Sequence, residues 1–153
     1  MDMRPFPGLV KSTGIINICK KTVFYDNIHL RITYSSSDFY DELAWAAAWL
    51  YKATGENDYL DTAKELFDNN GMCGSTLWFS WDDKKAGAQV LMAEITGDSK
   101  YEACVTSYVS SLDYGTYTPK GLLYVNSWGS NRYAANNAHL CAQVAKCCID
   151  KFS

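Results

Sequence analysis

Three short stretches of this 153-residue chain bring together side chains that could recognise a sugar or move a proton. They are Phe39-Tyr40-Asp41, Trp78-Phe79-Ser80-Trp81-Asp82, and Ser127-Trp128-Gly129 with Arg132 close behind. Aromatic faces flanked by carboxylates and a guanidinium suit carbohydrate. A pyranose ring lays its C–H face on an aromatic ring, while charged groups bond its hydroxyls. Taken singly, each residue has a plainer role, because a Trp before a helix staples it and an Asp there caps it. Capping alone does not call for Trp on two loops and Arg on a third.

Other chemistries fit less well. Asp82 and Asp83 are adjacent, so at a helix start they point in different directions, whereas inverting glycoside hydrolysis needs carboxyls roughly 6.5 to 9.5 Å apart. The diphosphate-binding pattern Asp-Asp-x-x-Asp fails as well, since Lys84, Lys85 and Ala86 follow. The six cysteines, at 19, 73, 104, 141, 147 and 148, form no Cys-x-x-Cys pair and have no His at ligand spacing, which argues against zinc. Cys104 and Cys141 fall within helical patterns where thiols act as small hydrophobes. The cysteines therefore read as free thiols, although an even count permits disulfides. Nothing points to a metal or a cofactor.

The elements that must carry these residues form a repeat. Forty-two positions after Asp41, Ala44, Ala46, Thr54, Gly55 and Tyr59 stand Asp83, Ala86, Ala88, Thr96, Gly97 and Tyr101. A period near forty marks stacked helical hairpins. Each copy opens on an acidic residue suited to a helix N-terminus, runs apolar for about four turns and breaks at Thr-Gly. A third, weaker copy begins after the long break 114–131, which holds a short β-type piece at Leu122 to Val125, and its helix spans Arg132 to Cys147. The first helix of a pair is apolar nearly all round. In particular, Leu43 to Tyr51 carries no charge, so the pattern predicts that it is covered on most sides, with Trp45 and Trp49 filling core. The second helix shows one stripe, as in Tyr59, Ala63, Leu66 and Phe67. Buried inner helices and amphipathic outer ones make an all-α fold, a curved solenoid or closed toroid. Its inner helices start on one rim, where the aromatics collect.

Composition agrees with one globular unit. Net charge is −3 and no basic run exists, so nothing favours nucleic acid. No apolar stretch reaches the roughly twenty residues of a membrane span. Met1 to Cys19 does not read as a signal peptide. Residues 1–34 leave the repeat, with Pro5, Pro7, Gly8 and Gly14 before two short β-rich stretches, and read as poorly ordered or foreign to the fold.

Three stretches support a family resemblance: YDELAWAAAWLYKATG (40–55), SWDDKKAGAQVLMAEITGDSKY (80–101) and TPKGLLYVNSWGSNRYAANNA (118–138). They resemble glycoside hydrolase family 9, the cellulases and endo-1,4-β-glucanases, and are similar in character to its secreted animal enzymes. The resemblance covers residues 35–147. It implies an (α/α)6 barrel of which 35–153 would supply about five of twelve helices, a partial toroid. It also implies hydrolysis of β-1,4-glucosidic bonds of cellulose with inversion and an extracellular setting. Tyr40, Trp78, Trp81, Asp82, Trp128 and Arg132 fall at or near the family's sugar-contacting positions. The family's general base sits in an Asp-Ala-Gly-Asp motif and its acid is a Glu near the C-terminus. Neither motif occurs here, so the chain reads as a middle fragment with no catalytic residue of its own. A non-catalytic helical-repeat scaffold is the alternative.

Overall fold

The computed structural model describes residues 36–148. The expectation of poor order in residues 1–34 concerns positions outside that span. Five helices are described: α1 (Tyr40–Thr54), α2 (Asn57–Asn69), α3 (Lys85–Thr96), α4 (Ser99–Asp113) and α5 (Ser130–Cys148). A small antiparallel ribbon, β1 (Thr116–Tyr117) and β2 (Leu123–Tyr124), pairs Thr116 with Tyr124 and Tyr117 with Leu123 before α5.

The sequence repeat is a structural repeat down to single hydrogen bonds. Helix α1 starts where the Tyr40 amide donates to Asp38 Oδ1 at 2.8 Å, and Asp41 and Glu42 add negative charge to its first turn. It ends at Gly55, whose φ of 74° places it in the left-handed region open to glycine. Gly97 ends α3 the same way. In both copies the threonine before the glycine donates to the carbonyl four residues back, Leu50 or Met92. The same hydroxyl accepts the amide two residues ahead, Glu56 or Asp98. Helix α3 starts at Lys85, later than Asp82-Asp83 alone suggests, because Asp83 instead accepts the Lys85 amide at 2.9 Å as part of the turn.

Two contacts fix how α1 and α3 lie. At their starts, the Lys84 amide donates to Asp41 Oδ2. At their ends, Lys52 Nζ pairs with Glu94 Oε1 at 2.7 Å. Start meets start and end meets end, so the two inner helices are parallel and in register. Helix α5 packs on the other side of α3, while α2 backs α1 and α4 backs α3. The result is the expected two-layer arrangement of hairpins, three inner helices and two outer among the described residues. Alanines at 44, 47, 48, 86, 88 and 93 let the inner helices approach closely, and Phe67, Met72, Met92, Tyr101 and Tyr108 fill the space between layers.

Two expectations are corrected. Helix α1 is not covered on most sides. Only Asp41, Ala44, Ala47 and Ala48 are buried, Trp45 is half-buried against the core, and Trp49 is 38% exposed with Lys52 over its ring. The reason is that, among the described residues, a single inner neighbour flanks it. The free-thiol reading also fails for two cysteines. Cys73 and Cys104 form a disulfide, because the loop after α2 folds back along α4 and brings together positions 31 apart. Such a loop closure stabilises the fold by about 3–4 kcal/mol. Cys141 is a free, half-buried thiol, and burial raises its pKa.

Candidate functional site

Long-range contacts join the three helix starts into one rim. The Ser37 amide, ahead of α1, donates to Asp82 Oδ1 at 2.8 Å, ahead of α3. The Trp78 ring stands edge-on to Tyr133 in the first turn of α5, with centroids 5.2 Å apart. Asn136 and Asn137 of α5 donate to the carbonyls of Phe79 and Leu77, at 2.7 and 3.1 Å, and Tyr108 of α4 donates to Asn137 Oδ1. These bonds hold the loop before α3 between its two neighbours.

The candidate contacts stand on that rim. Tyr40 is the first residue of α1 and partly exposed, its ring 4.6 Å from that of Phe39. Trp78, Trp81 and Trp128 are 43, 47 and 75% exposed, a large wet area for the residue type with the most apolar surface to hide. Asp82 is half-buried and already accepts the Ser37 amide, leaving its other oxygen for a further donor. Arg132 is half-buried against the backbone of Gly129, its guanidinium 4.7 Å over the Tyr133 ring. Its Nη2 donates to the Tyr133 hydroxyl at 2.9 Å, while Nε has no acceptor. Gly129 sits at φ 66° in the turn between Trp128 and α5, and its carbonyl accepts the Arg132 amide at 2.9 Å.

Behind the rim lies a feature that spacing did not reveal. Asp38, Asp41 and Glu42 place carboxylate oxygens within 4.8 Å of one another. Burial, then a hydrogen bond with Asp41, then the charge of Asp41 push the Glu42 carboxyl up to about 8. Asp41 Oδ1 and Glu42 Oε2 are buried and lack any other partner, which a proton shared between them would satisfy. A donor set of hard oxygens alone could also hold a cation of the calcium type, and does not suit zinc. Asp83 feels the same cluster: burial raises its carboxyl pKa, the charges of Asp41 and Asp38 add to this, and the Lys85 amide opposes it.

Comparison with known proteins gives this geometry a context. The sequence model of glycosyl hydrolase family 9 matches residues 18–152. The chain belongs to that family. The family match starts at residue 18 and so takes in residues 18–34 as well as the stretches read above. Among relatives, the chain is 41% identical over 129 residues to Endoglucanase 5 of Arabidopsis thaliana, covering 71% of this chain and 20% of that protein. Among solved structures, it resembles the endoglucanase of the termite Nasutitermes takasagoensis at 46% identity and a TM-score of 0.71, over 76% of this chain and 27% of that one. The endoglucanase CelQ of Clostridium thermocellum, solved with cellotriose, matches at 35% identity and a TM-score of 0.63, over 74% and 21% respectively. This family 9 chain thus spans between about a tenth and a little over a quarter of the proteins it matches, and its described helices form part of a helical toroid.

Three residues of the candidate site escape a reading by pattern. Tyr133 is buried between Trp78 and Arg132 and organises both, yet in sequence it is one more aromatic in a helix. Asn136 and Asn137 carry the bonds to the loop. Their signal was available, since two adjacent amides inside an Ala-rich helix need partners.

Proposed function

We propose that this chain supplies one face of the glucan-binding cleft of a β-1,4-glucan hydrolase, an inverting endoglucanase acting on cellulose and cello-oligosaccharides. The observation that carries the reading is the joining of three helix starts on one rim that bears three part-exposed tryptophans. Trp78, Trp81, Trp128 and Tyr40 offer ring faces on which successive glucosyl units stack. Asp82 accepts a sugar hydroxyl through its remaining oxygen. Arg132, its plane set by Tyr133, donates to another. The family's named endoglucanases, including one solved with cellotriose, support the ligand class.

The residues described here bind and orient; they are not the acid and base. Asp83 is engaged at a helix start, Asp41 accepts the Lys84 amide, and Glu42 is held by burial in a raised-pKa state behind the rim. Inversion needs a carboxylate to activate water and a distant carboxylic acid to protonate the leaving oxygen. Family resemblance assigns both to motifs other than those in this sequence. The Cys73–Cys104 disulfide supports an oxidising, extracellular setting. No helix among the described residues is long and apolar enough to cross a membrane.

Fluorescence titration with cellohexaose tests the cleft. Trp128→Ala is expected to weaken binding by about 1–3 kcal/mol with little change in the melting temperature, since so exposed a ring adds little to packing. Unchanged binding together with a lowered melting temperature would make Trp128 a structural residue and end the cleft assignment.

A further inference from the structure

A concavity lies beside the rim, between the loop that follows α2 and the ribbon that precedes α5. It measures about 570 Å³ and includes Thr76, Trp78, Ser111, Tyr114, Thr116 and Tyr124 in its lining. That volume falls within the ordinary range of ligand sites. Three properties of the lining define what would fit.

No side chain lining it is charged, so the groove offers nothing to an anion or a cation. Its polar side chains are mainly hydroxyls: those of Ser75, Thr76 and Ser111 already donate to backbone carbonyls and are left to accept, while Thr116, Tyr114 and Tyr124 can donate as well as accept, so the groove offers a polyhydroxyl ligand both kinds of partner. Its aromatic side chains are held out rather than packed away: Tyr114 is 89% exposed, and Trp78 and Tyr124 are also exposed. A tyrosine at the end of α4 with so little cover has no packing role to explain it.

The groove is also built before any ligand arrives, because both walls are tied to α4. On one side the disulfide joins Cys73 to Cys104, Ser111 Oγ donates to the Thr76 carbonyl at 3.2 Å, and Ser75 Oγ donates to that of Ser107 at 3.4 Å. On the other side, Tyr117 donates its hydroxyl proton to the Leu112 carbonyl at 2.8 Å. Gly115 meanwhile lies so close to Leu123 that a Cβ would come within 2.7 Å of it. Walls fixed to one helix keep their spacing, which lowers the ordering cost of binding.

We infer that this groove is a second, non-catalytic site for a neutral β-linked oligosaccharide, with Tyr114 and Tyr124 as stacking faces, Thr116 and the tyrosine hydroxyls as donors and acceptors, and Thr76 and Ser111 as acceptors. It meets the cleft only at Trp78. The ligand class rests on the cleft reading above; the site itself rests on its own lining. Through it the protein would hold a glucan strand other than the one lying in the cleft.

Amide chemical shifts of the full chain, titrated with cellotriose, separate the two sites. Thr76, Ser111 and Thr116 report the groove, and Asp82, Gly129 and Arg132 report the cleft. The expected result is two independent sets of shifts, with Tyr114→Ala weakening the groove set about tenfold and leaving the cleft set unchanged. Tyr124→Ala is the second groove variant. Trp128→Ala is expected to do the reverse. Cleft amides that move while groove amides stay still would overturn the groove and leave the cleft reading intact. Groove amides that move alone would support the groove and overturn the cleft. Shifts at neither place overturn both. A single set that responds equally to Tyr114→Ala and Trp128→Ala would make the groove an extension of the cleft and overturn the second site.

Discussion

The first hairpin and the second share a frame 42 residues apart, yet the molecule treats them differently. In α3 every residue from Ala86 to Ala93 is buried; in α1 burial is confined to four positions on one face. The sequences do not account for this, since both inner helices are similarly apolar. Neighbours do: α3 lies between α1 and α5, whereas α1 has α3 alone beside it among the described inner helices. The matched positions show the accommodation in detail. Trp45 of the first copy corresponds to Gly87 of the second, and the Trp45 indole nitrogen lies 3.3 Å from where a Gly87 Cβ would stand. The Phe79 ring, edge-on to Trp45, stands closer still at 2.6 Å, so the second copy gives up a side chain where Phe79 and the first copy's tryptophan meet. Inner position in a hairpin repeat therefore states which residues can be buried, and the count of flanking helices decides which are.

The hairpins also differ in how they are fastened, and removing the fastening should have the largest effect. Cys104 of α4 is bridged to Cys73, while the matching position of α2 is Thr62, whose hydroxyl merely donates to the Asp58 carbonyl. Changing both cysteines to Ser is expected to lower unfolding free energy by about 3–4 kcal/mol in denaturant titration. A loss below about 1 kcal/mol would show that Ser75, Ser111 and Gln89, which donates to the Met72 and Gly74 carbonyls, hold the loop without the bridge.

A matched pair of substitutions tests the burial contrast itself. Ala88 is fully buried and its counterpart Ala46 is exposed. Ala88→Leu should cost about 1–3 kcal/mol through overpacking, and Ala46→Leu should stay within about 0.5 kcal/mol. Equal costs at the two positions would mean that α1 is as enclosed as α3, and the comparison would fail.

The smallest effect separates the two helix starts by charge. Where the first copy has Glu42, the second has Lys84, whose ammonium is taken up by the Ser80 carbonyl. Glu42 holds its proton up to about pH 8 in the folded state, against an ordinary carboxylate value near 4.5. A raised folded pKa stabilises fully below the unfolded value, and the contribution is lost as pH rises through the folded one. Melting temperatures measured in EDTA should therefore fall between about pH 4.5 and 8 in the wild type, and fall less in Glu42→Gln. The effect is modest, because Glu42 is only half-buried. Parallel profiles for the two proteins would rule out the shared proton.

Much of this protein was legible in residue order because it rests on contacts within a few positions. The 42-residue repeat, the Thr-Gly helix ends and the stripe of α2 are all local; the structure makes both Thr-Gly ends with hydrogen bonds two to four residues long, and it keeps the acidic start in α1 while moving it into the turn ahead of α3. The rim aromatics could be listed for the same reason: they cluster in sequence where inner helices begin. Bringing those clusters together was the work of tertiary structure, through bonds such as Lys84 to Asp41 and Asn137 to Leu77, 43 and 60 residues apart. The disulfide, the raised proton affinity of Glu42, the half-exposed Trp49 and the groove at Tyr114 depend on the same long-range packing. Burial and proton affinity are set by what surrounds a group in space, and periodicity along the chain specifies a face without specifying what will cover it.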